Sequence, residues 1–219
     1  MGIVNFTNVG PPSELINKLR YIFSISNFVE TGTYKGNTAY WASRIFDYVI
    51  TIEASESLYK EVTEKYHHVK NIEFIYGDSR EKLRGVIAKL DGPSIFWLDG
   101  HWSGNTTYGV NNQCPLIEEI EIINSSEYEH FILIDDARYF LSPPPEPHPI
   151  EQWPNICLVI GALSSSDEIR YIVIFEDVII ATPILAKHMI VHYCRDKNIR
   201  TLKEHNIKTD DCKQTIGVC

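Results

Sequence analysis

The sequence predicts an α/β domain: a mostly parallel sheet of seven strands, helices on both of its faces, and an antiparallel β-hairpin at its C-terminal end. Short apolar, β-branched runs alternate with segments of helical periodicity along most of the 219 residues, which is typical of right-handed βαβ units. The runs are apolar almost throughout, as strands are when helices cover both faces of a sheet. Two later runs, 171–175 and 178–182, are joined at Glu176-Asp177, which indicates the hairpin.

The individual elements follow from the same periodicities. Five strands are predicted ahead of the hairpin, at residues 28–31, 48–53, 72–76, 94–98 and 131–134. Helices are predicted at residues 13–23, 37–46, 56–66 and 80–90, after Pro115, and near 155–163. In the helix after Pro115, which reads LIEEIEII, the leucine and isoleucines predict the buried face and the glutamates the solvent face.

Composition divides the chain into three parts. Residues 1–26 are predicted to form an N-terminal helical segment, and residues 27–186 the ligand-binding domain. Residues 187–219 are polar, mixed in charge and without a strong period, so we expect a tail or a small helical appendage there. Within the middle part, the prolines of residues 142–154 keep the chain stiff and extended. That stretch is either a lid or wall of a site or a structural wrap over the sheet.

Charge and cysteine content narrow the classes of partner. The formal net charge of −9 disfavours a nucleic-acid binder, and no apolar run is long enough to span a bilayer. No basic segment followed by an apolar one marks a signal peptide. The five cysteines include no C-x-x-C pair, so we expect reduced thiols and a cytoplasmic protein; spacing leaves a Cys212–Cys219 disulfide open.

The stretch at residues 27–37, NFVETGTYKGN, predicts a ligand-binding turn. A buried strand leads through Gly32 and Gly36 into a helix, and glycine lets a backbone approach a ligand closely. The spacing E-x-G-x-x-x-G differs from both the dinucleotide and the phosphate-loop motifs. Glu30 would repel a phosphate but accept hydrogen bonds from an ammonium group. An ordinary strand–turn–helix corner is the alternative.

Every predicted parallel strand ends in an acidic residue or a glycine, and acidic side chains stand at or near each of these ends. Because ligands bind at the carboxyl ends of the strands in open α/β sheets, these side chains are predicted to gather at one edge of the sheet. They are Glu30, Glu53, Asp78, Asp99, Asp135 and Asp136.

These segments resemble the class I S-adenosylmethionine-dependent methyltransferases, which have a Rossmann-like fold. The resemblance implies that Glu30 and the Gly32–Gly36 turn hold the methionine part of the cofactor. It implies further that Glu53 binds both ribose hydroxyls and that Asp78, with Ser79, recognises the adenine amino group. The cofactor-binding residues so implied are Glu30, Thr31, Gly32, Thr33, Tyr34, Gly36, Asn37, Thr38, Glu53, Ala54, Ser55, Asp78, Ser79 and Asp99.

Within that class, the segments FWLDGHW and ILIDD are similar to the metal-dependent small-molecule O-methyltransferases, such as the catechol, caffeoyl-coenzyme A and cephalosporin-hydroxylase-like enzymes. The resemblance implies that Asp99, Asp135 and Asp136 hold Mg²⁺ or another divalent cation, which would bind and activate the acceptor hydroxyl. The catechol-type enzymes place a lysine base where this chain has Trp102. His101 is the best substitute base, so His101 and Asp99 are the predicted catalytic residues.

Several alternatives remain open on the sequence alone. The same fold could serve a metal-independent N-methyltransferase, a hydrolytic or hydroxylase-like enzyme using the same carboxylates, or a non-catalytic binding module. The acceptor is predicted to be a small molecule such as a phenol, a sugar or a natural product, and a homodimer is left open. His188 and His192 have the i, i+4 spacing of metal ligands on a helix, but no acid or cysteine completes a set.

Overall fold

The computed structural model describes residues 10–101, 113–166 and 168–204. The chain divides into two compact units, Met1–Ile184 and Leu185–Cys219. None of the described helices combines the length and the apolar character that crossing a bilayer requires.

The first unit is built on a seven-stranded sheet, which confirms the predicted fold class. Its strands are β1 (Asn27–Thr31), β2 (Tyr48–Glu53), β3 (Ile72–Tyr76), β4 (Ser94–Leu98), β5 (Phe131–Ile134), β6 (Arg170–Phe175) and β7 (Val178–Pro183). They lie in the order β3-β2-β1-β4-β5-β7-β6. The first five run parallel, and β7 pairs antiparallel with both β5 and β6.

Helices connect the strands nearly where the periodicity predicts them. They are α1 (Ser13–Phe23), α2 (Asn37–Ser43), α3 (Glu56–Lys65), α4 (Ser79–Ile87), α5 (Leu116–Asn124), α6 (Arg138–Leu141) and α7 (Ile156–Leu163). Helix α2 ends at Ser43, three residues before the predicted end, and the single turn α6 was not predicted. In the second unit, helix α8 (Lys187–Glu204) lies in the part of the chain for which the sequence predicts either a tail or a small helical appendage.

The alternation of side chains along the strands packs two different layers. Val29 in β1 lies in a core cluster with residues of α4, α5 and α7, among them Leu83 and Ile120. The preceding residue, Phe28, faces the opposite layer, where its ring lies 6.2 Å from the ring of Trp41 in α2. Successive side chains of a strand point to opposite faces, so helices cover both faces, as predicted.

One prediction about α5 is wrong. The sequence predicts that its glutamates face solvent, and Glu118 and Glu121 are indeed exposed, but Glu119 is only 1% exposed. Helix α5 packs against both α4 and α7, which widens its buried surface. The first turn of α5 lies behind Gly100, just past the end of β4: a Cβ added to Gly100 would lie 3.2 Å from Glu119 Oε1. Hydrophobic periodicity describes the middle of the helix and misses a polar side chain at its start.

Candidate active site

A cavity of about 600 Å³, open to solvent, lies at the carboxyl ends of the central strands. It lies beside β1, where the chain order of the strands reverses, which is the usual ligand position in open α/β sheets. The residues that line it are Gly32, Tyr34, Ile52, Glu53, Ala54, Gly77, Ser79, Asp99, Gly100 and His101.

Gly32 allows the turn after β1 to lie against the chain that follows β4. Its φ of +85° is left-handed, and a Cβ at this position would lie 2.2 Å from the carbonyl oxygen of Asp99. No larger residue fits that spacing. Tyr34 also has a left-handed φ, of 48°, which is uncommon for a residue with a side chain and is typical of functional loops.

Glu53 is held at the cavity by its backbone neighbours. One carboxylate oxygen accepts a hydrogen bond from Tyr34 N and the other from Ser55 N, each at 2.8 Å. Burial raises the pKa of Glu53 above its ordinary value, and these N–H donors oppose that rise. The carboxylate is thereby fixed in orientation at the cavity wall, and a carboxylate can accept more hydrogen bonds than these two.

Glu30 lies one layer behind the cavity and does not line it. Its side chain is 1% exposed and accepts a hydrogen bond from Thr51 Oγ1 at 2.6 Å. Thr51 Oγ1 lies equally close to Thr33 Oγ1. Burial raises the pKa of Glu30 to about 8, and the nearby Asp99 carboxylate adds to the rise. The predicted contact of Glu30 with the methionine part of a cofactor therefore stays a prediction.

Asp78 caps α4, and both oxygens of its carboxylate are bound by Arg80. Its Oδ1 accepts hydrogen bonds from the backbone N and the Nε of Arg80, each at 2.9 Å, and its Oδ2 pairs with the same guanidinium. The hydrogen bonds from Arg80 hold the pKa of Asp78 below its ordinary value. Ser79, the next residue, lines the cavity. The predicted adenine contact of Asp78 would thus share the carboxylate with Arg80.

His101 forms the centre of the acidic end of the cavity. Its Nε2 lies 2.7 Å from Asp136 Oδ2 and 3.9 Å from Asp99 Oδ1. Burial opposes the charged imidazole, but the bond to Asp136 and the charge of Asp99 leave the pKa of His101 above its ordinary value. Asp136 has a left-handed φ of 56°, and its other oxygen lies 2.6 Å from Arg138 Nη1.

No metal site is shown at Asp99, Asp135 and Asp136, the three predicted ligands, and their role in holding an ion stays a prediction. Both oxygens of Asp136 are engaged, one by His101 and one by Arg138, a cation that also pairs with Asp177. Asp135 Oδ1 accepts a hydrogen bond from the backbone N of Asp136. Across residues 10–101, 113–166 and 168–204, no group of three histidine, cysteine or acidic side chains is placed to hold an ion.

Aromatic side chains stand behind His101. The ring of Trp153 lies 5.3 Å from the imidazole of His101 and 5.4 Å from the ring of Tyr139. Trp153 Nε1 donates a hydrogen bond to Gln113 Oε1, which fixes the indole. Beside it is a second, largely apolar cavity of about 360 Å³. Its lining comprises Tyr139, Phe140, Leu141, Ser142, Pro143, Pro144, Ile150, Trp153, Pro154 and Asn155.

The structure brings together only part of the predicted set of site residues. The predicted residues that line the first cavity are Gly32, Tyr34, Glu53, Ala54, Ser79, Asp99 and His101. The predicted residues outside that lining are Glu30, Thr31, Thr33, Gly36, Asn37, Thr38, Ser55, Asp78, Asp135 and Asp136. Trp102 and the Cys212–Cys219 pair lie outside the described residues.

Sequence reasoning missed several residues of the site. Ile52, Gly77 and Gly100 line the cavity, and each is adjacent to an acid that was predicted. The sequence predicts that Glu119 faces solvent, yet its Oε1 is buried, as is Thr31 Oγ1, and the side chains of Thr31 and Ser79 lie close enough to act on its pKa. Burial raises the pKa of Glu119 to about 7. In the sequence, the only indication that Glu119 is buried is its position as an acid at the start of an otherwise apolar helix.

No known protein-family model and no curated protein sequence matches this chain. Its fold is nevertheless similar to solved structures of methyltransferases. The O-methyltransferase TomG from Streptomyces achromogenes, in complex with S-adenosylmethionine, superposes with a TM-score of 0.56 and 13% identity over 80% of this chain and 81% of that one.

Two further structures give the same result. An O-methyltransferase from Bacillus cereus, in complex with S-adenosylhomocysteine, has a TM-score of 0.56 and 16% identity over 82% of this chain and 84% of that one. The S-adenosylhomocysteine-bound methyltransferase PaMTH1 from Podospora anserina has a TM-score of 0.53 and 17% identity, over 78% and 76%. At such identities the likeness concerns the fold. The chain has the fold of the class I S-adenosylmethionine-dependent methyltransferases.

Proposed function

We propose that this chain is an S-adenosylmethionine-dependent methyltransferase that acts on a hydroxyl group of a small molecule. The observation that carries the proposal is the carboxylate of Glu53. It is fixed by two backbone N–H groups at the rim of a cavity whose other wall needs Gly32 for its close approach to Asp99. The three similar methyltransferase structures named above, each bound to the cofactor or its product, support the same reading of the cavity.

The residues of the chain would act mainly by positioning. When bound, S-adenosylmethionine supplies an electrophilic methyl group on a sulfonium. Glu53 would orient the ribose through its free lone pairs, and the turn at Gly32 would exclude water from one side. Holding two reactants in line removes much of the entropic part of the barrier.

His101 is the proposed general base. Its bond to Asp136 orients the imidazole and directs Nε2–H toward the carboxylate, which leaves Nδ1 to accept a proton. A base held in one tautomer by a carboxylate is the usual arrangement of such pairs. Asp99, on the cavity wall beside His101, would contribute negative charge that favours the protonated imidazole once the acceptor has lost its proton.

The proposed acceptor is a planar, largely apolar molecule that carries a hydroxyl. Trp153 and Tyr139 contribute to both the aromatic surface behind His101 and the second cavity. Aromatic rings of this kind pack well against a flat ring and poorly against a heavily hydrated one. A phenol therefore suits the site better than a sugar.

The divalent metal predicted from the sequence stays a prediction, and the contacts of Asp136 count against it. Arg138 already supplies positive charge at this carboxylate, and a metal ion beside it would be repelled. The proposal therefore assigns proton removal to His101 and routes no step through a metal.

Transfer of a labelled methyl group from S-adenosylmethionine to a panel of phenols, sugars and amines tests the proposal, with and without EDTA. We expect transfer to a phenolic hydroxyl that survives EDTA and falls by about 10²-fold or more in His101→Gln, as the loss of a general base does. His68→Gln, at an exposed histidine on the same unit, is the matched control. Absence of transfer to every hydroxyl, or transfer to amines only, would contradict the proposal.

A further inference from the structure

Helix α8 presents two histidines whose rings converge on one point. His188 and His192 are one helical turn apart, and both side chains are exposed. Their Nε2 atoms lie 3.2 Å from each other. Their ring centroids are 4.3 Å apart, with 58° between the ring planes. The pair lies wholly within the second compact unit and has no part in the proposed methyl transfer.

The distance between the two nitrogens matches what a shared metal ion requires. Zinc binds imidazole nitrogen at about 2.0–2.1 Å, so two nitrogens on one ion lie roughly 2.9 to 3.4 Å apart for angles between octahedral and tetrahedral. The observed 3.2 Å falls inside that interval. It also suits an N–H···N hydrogen bond between two neutral rings, which holds the pair in the same geometry when no ion is bound.

We propose that His188 and His192 form a two-histidine site for a divalent transition-metal ion such as Zn²⁺, Ni²⁺ or Cu²⁺. Imidazole selects these ions, whereas Mg²⁺ and Ca²⁺ prefer oxygen ligands. The ion's remaining positions face solvent and are filled by water. The site differs in place and in ligand chemistry from the carboxylate site predicted for Mg²⁺.

An ion held across one turn would also clamp α8. A ligand that binds the folded helix but not the open chain stabilises the folded form in proportion to its affinity. The backbone amides near the clamped turn should then exchange their hydrogens more slowly when the metal is bound. That response requires both histidines of one helix and is absent when a metal binds elsewhere on the chain.

The test uses the full chain without a histidine tag, stripped with EDTA and desalted, and titrated calorimetrically with Zn²⁺, Ni²⁺ and Mg²⁺. We expect Zn²⁺ and Ni²⁺ to bind to the wild type, with Mg²⁺ giving no binding event that depends on these histidines. Affinity should fall by at least about tenfold in His188→Ala and in His192→Ala. Both changes are at exposed helical positions where alanine is favourable, and far-UV circular dichroism checks that the helix persists.

The matched control is His67→Ala/His68→Ala, which removes two exposed histidines that are adjacent and whose rings are 5.6 Å apart. It should bind Zn²⁺ and Ni²⁺ as the wild type does, and metal should slow amide exchange near 188–192 in both. Equal isotherms for the wild type and His188→Ala/His192→Ala would overturn the proposal. So would slowed exchange near 188–192 that persists in that double variant.

Discussion

Replacing Gly32 by alanine would place a methyl group against the peptide that follows β4. The added Cβ would lie 2.2 Å from the carbonyl oxygen of Asp99 and 2.7 Å from its carbonyl carbon. These are backbone atoms, fixed by the bond from Asp99 N to Thr31 O, so the clash cannot be relieved by a side-chain rotation. A left-handed φ costs alanine about 1–2 kcal/mol, and overpacking adds about 1–3 kcal/mol. We therefore expect Gly32→Ala to lower the free energy of unfolding by about 2–5 kcal/mol.

Urea denaturation of Gly32→Ala and of the matched variant Gly85→Ala measures this effect. Gly85 lies in α4, and a Cβ there meets no atom within 4 Å, so alanine should raise the free energy of unfolding by about 0.5–1 kcal/mol. In calorimetry, Gly32→Ala should also bind S-adenosylhomocysteine more weakly, because the shifted chain after β4 carries part of the cavity wall. A Gly32→Ala protein as stable as the wild type, with unchanged affinity, would refute the reasoning.

Three further changes follow from other contacts. Burial raises the pKa of Glu119 to about 7 from its ordinary 4.5, so the folded form holds a proton that the unfolded chain has released, and stability is lost as pH rises between these values. Glu119→Gln removes that loss, because glutamine does not titrate. Urea denaturation should therefore show that the free energy of unfolding of the variant, relative to that of the wild type, increases by up to about 3 kcal/mol from about pH 5 to about pH 8. The same difference between the two proteins at both pH values would contradict this. Asn155 accepts a hydrogen bond from Leu158 N at the start of α7, so Asn155→Ala should lower the free energy of unfolding by about 1 kcal/mol; no change in the urea midpoint would count against the cap. Trp153→Leu should raise KM for an aromatic acceptor and leave the affinity for S-adenosylhomocysteine unchanged, and equal weakening of both would place the indole at the cofactor instead.

The sheet could be predicted from sequence because its signals are local and repeated. The strands at 48–53, 72–76, 94–98 and 131–134 have the predicted bounds, since each is a mostly apolar run that ends at or just before an acid or a glycine. Parallel order then follows from the helices between them. The position of the cavity follows in turn from where parallel strands end.

The partners of the acidic side chains could not be predicted in the same way. Spacing shows that Asp99 and Asp136 lie at the same edge, but not that Arg138 reaches back to Asp136 from a turn of helix that has no periodicity of its own. The burial of Glu119 likewise depends on Gly100, nineteen residues earlier in the chain. Such contacts are set by three-dimensional packing of loops, which leaves no regular pattern in the sequence.

Calorimetric titration of S-adenosylhomocysteine into the wild type and Glu53→Gln tests the central claim most directly. In Glu53→Gln an amide group replaces one of the two oxygens that accept from Tyr34 N and Ser55 N, which leaves an N–H unpaired and weakens the contact with a diol. A hydrogen bond to a charged group contributes about 1.5–3 kcal/mol, so we expect one ligand per chain in the wild type and a loss of about 10- to 100-fold in Glu53→Gln. Glu56→Gln, at an exposed residue paired with Lys60, should bind as the wild type does. No binding by the wild type, or equal binding by Glu53→Gln, would contradict the assignment of this cavity to the cofactor.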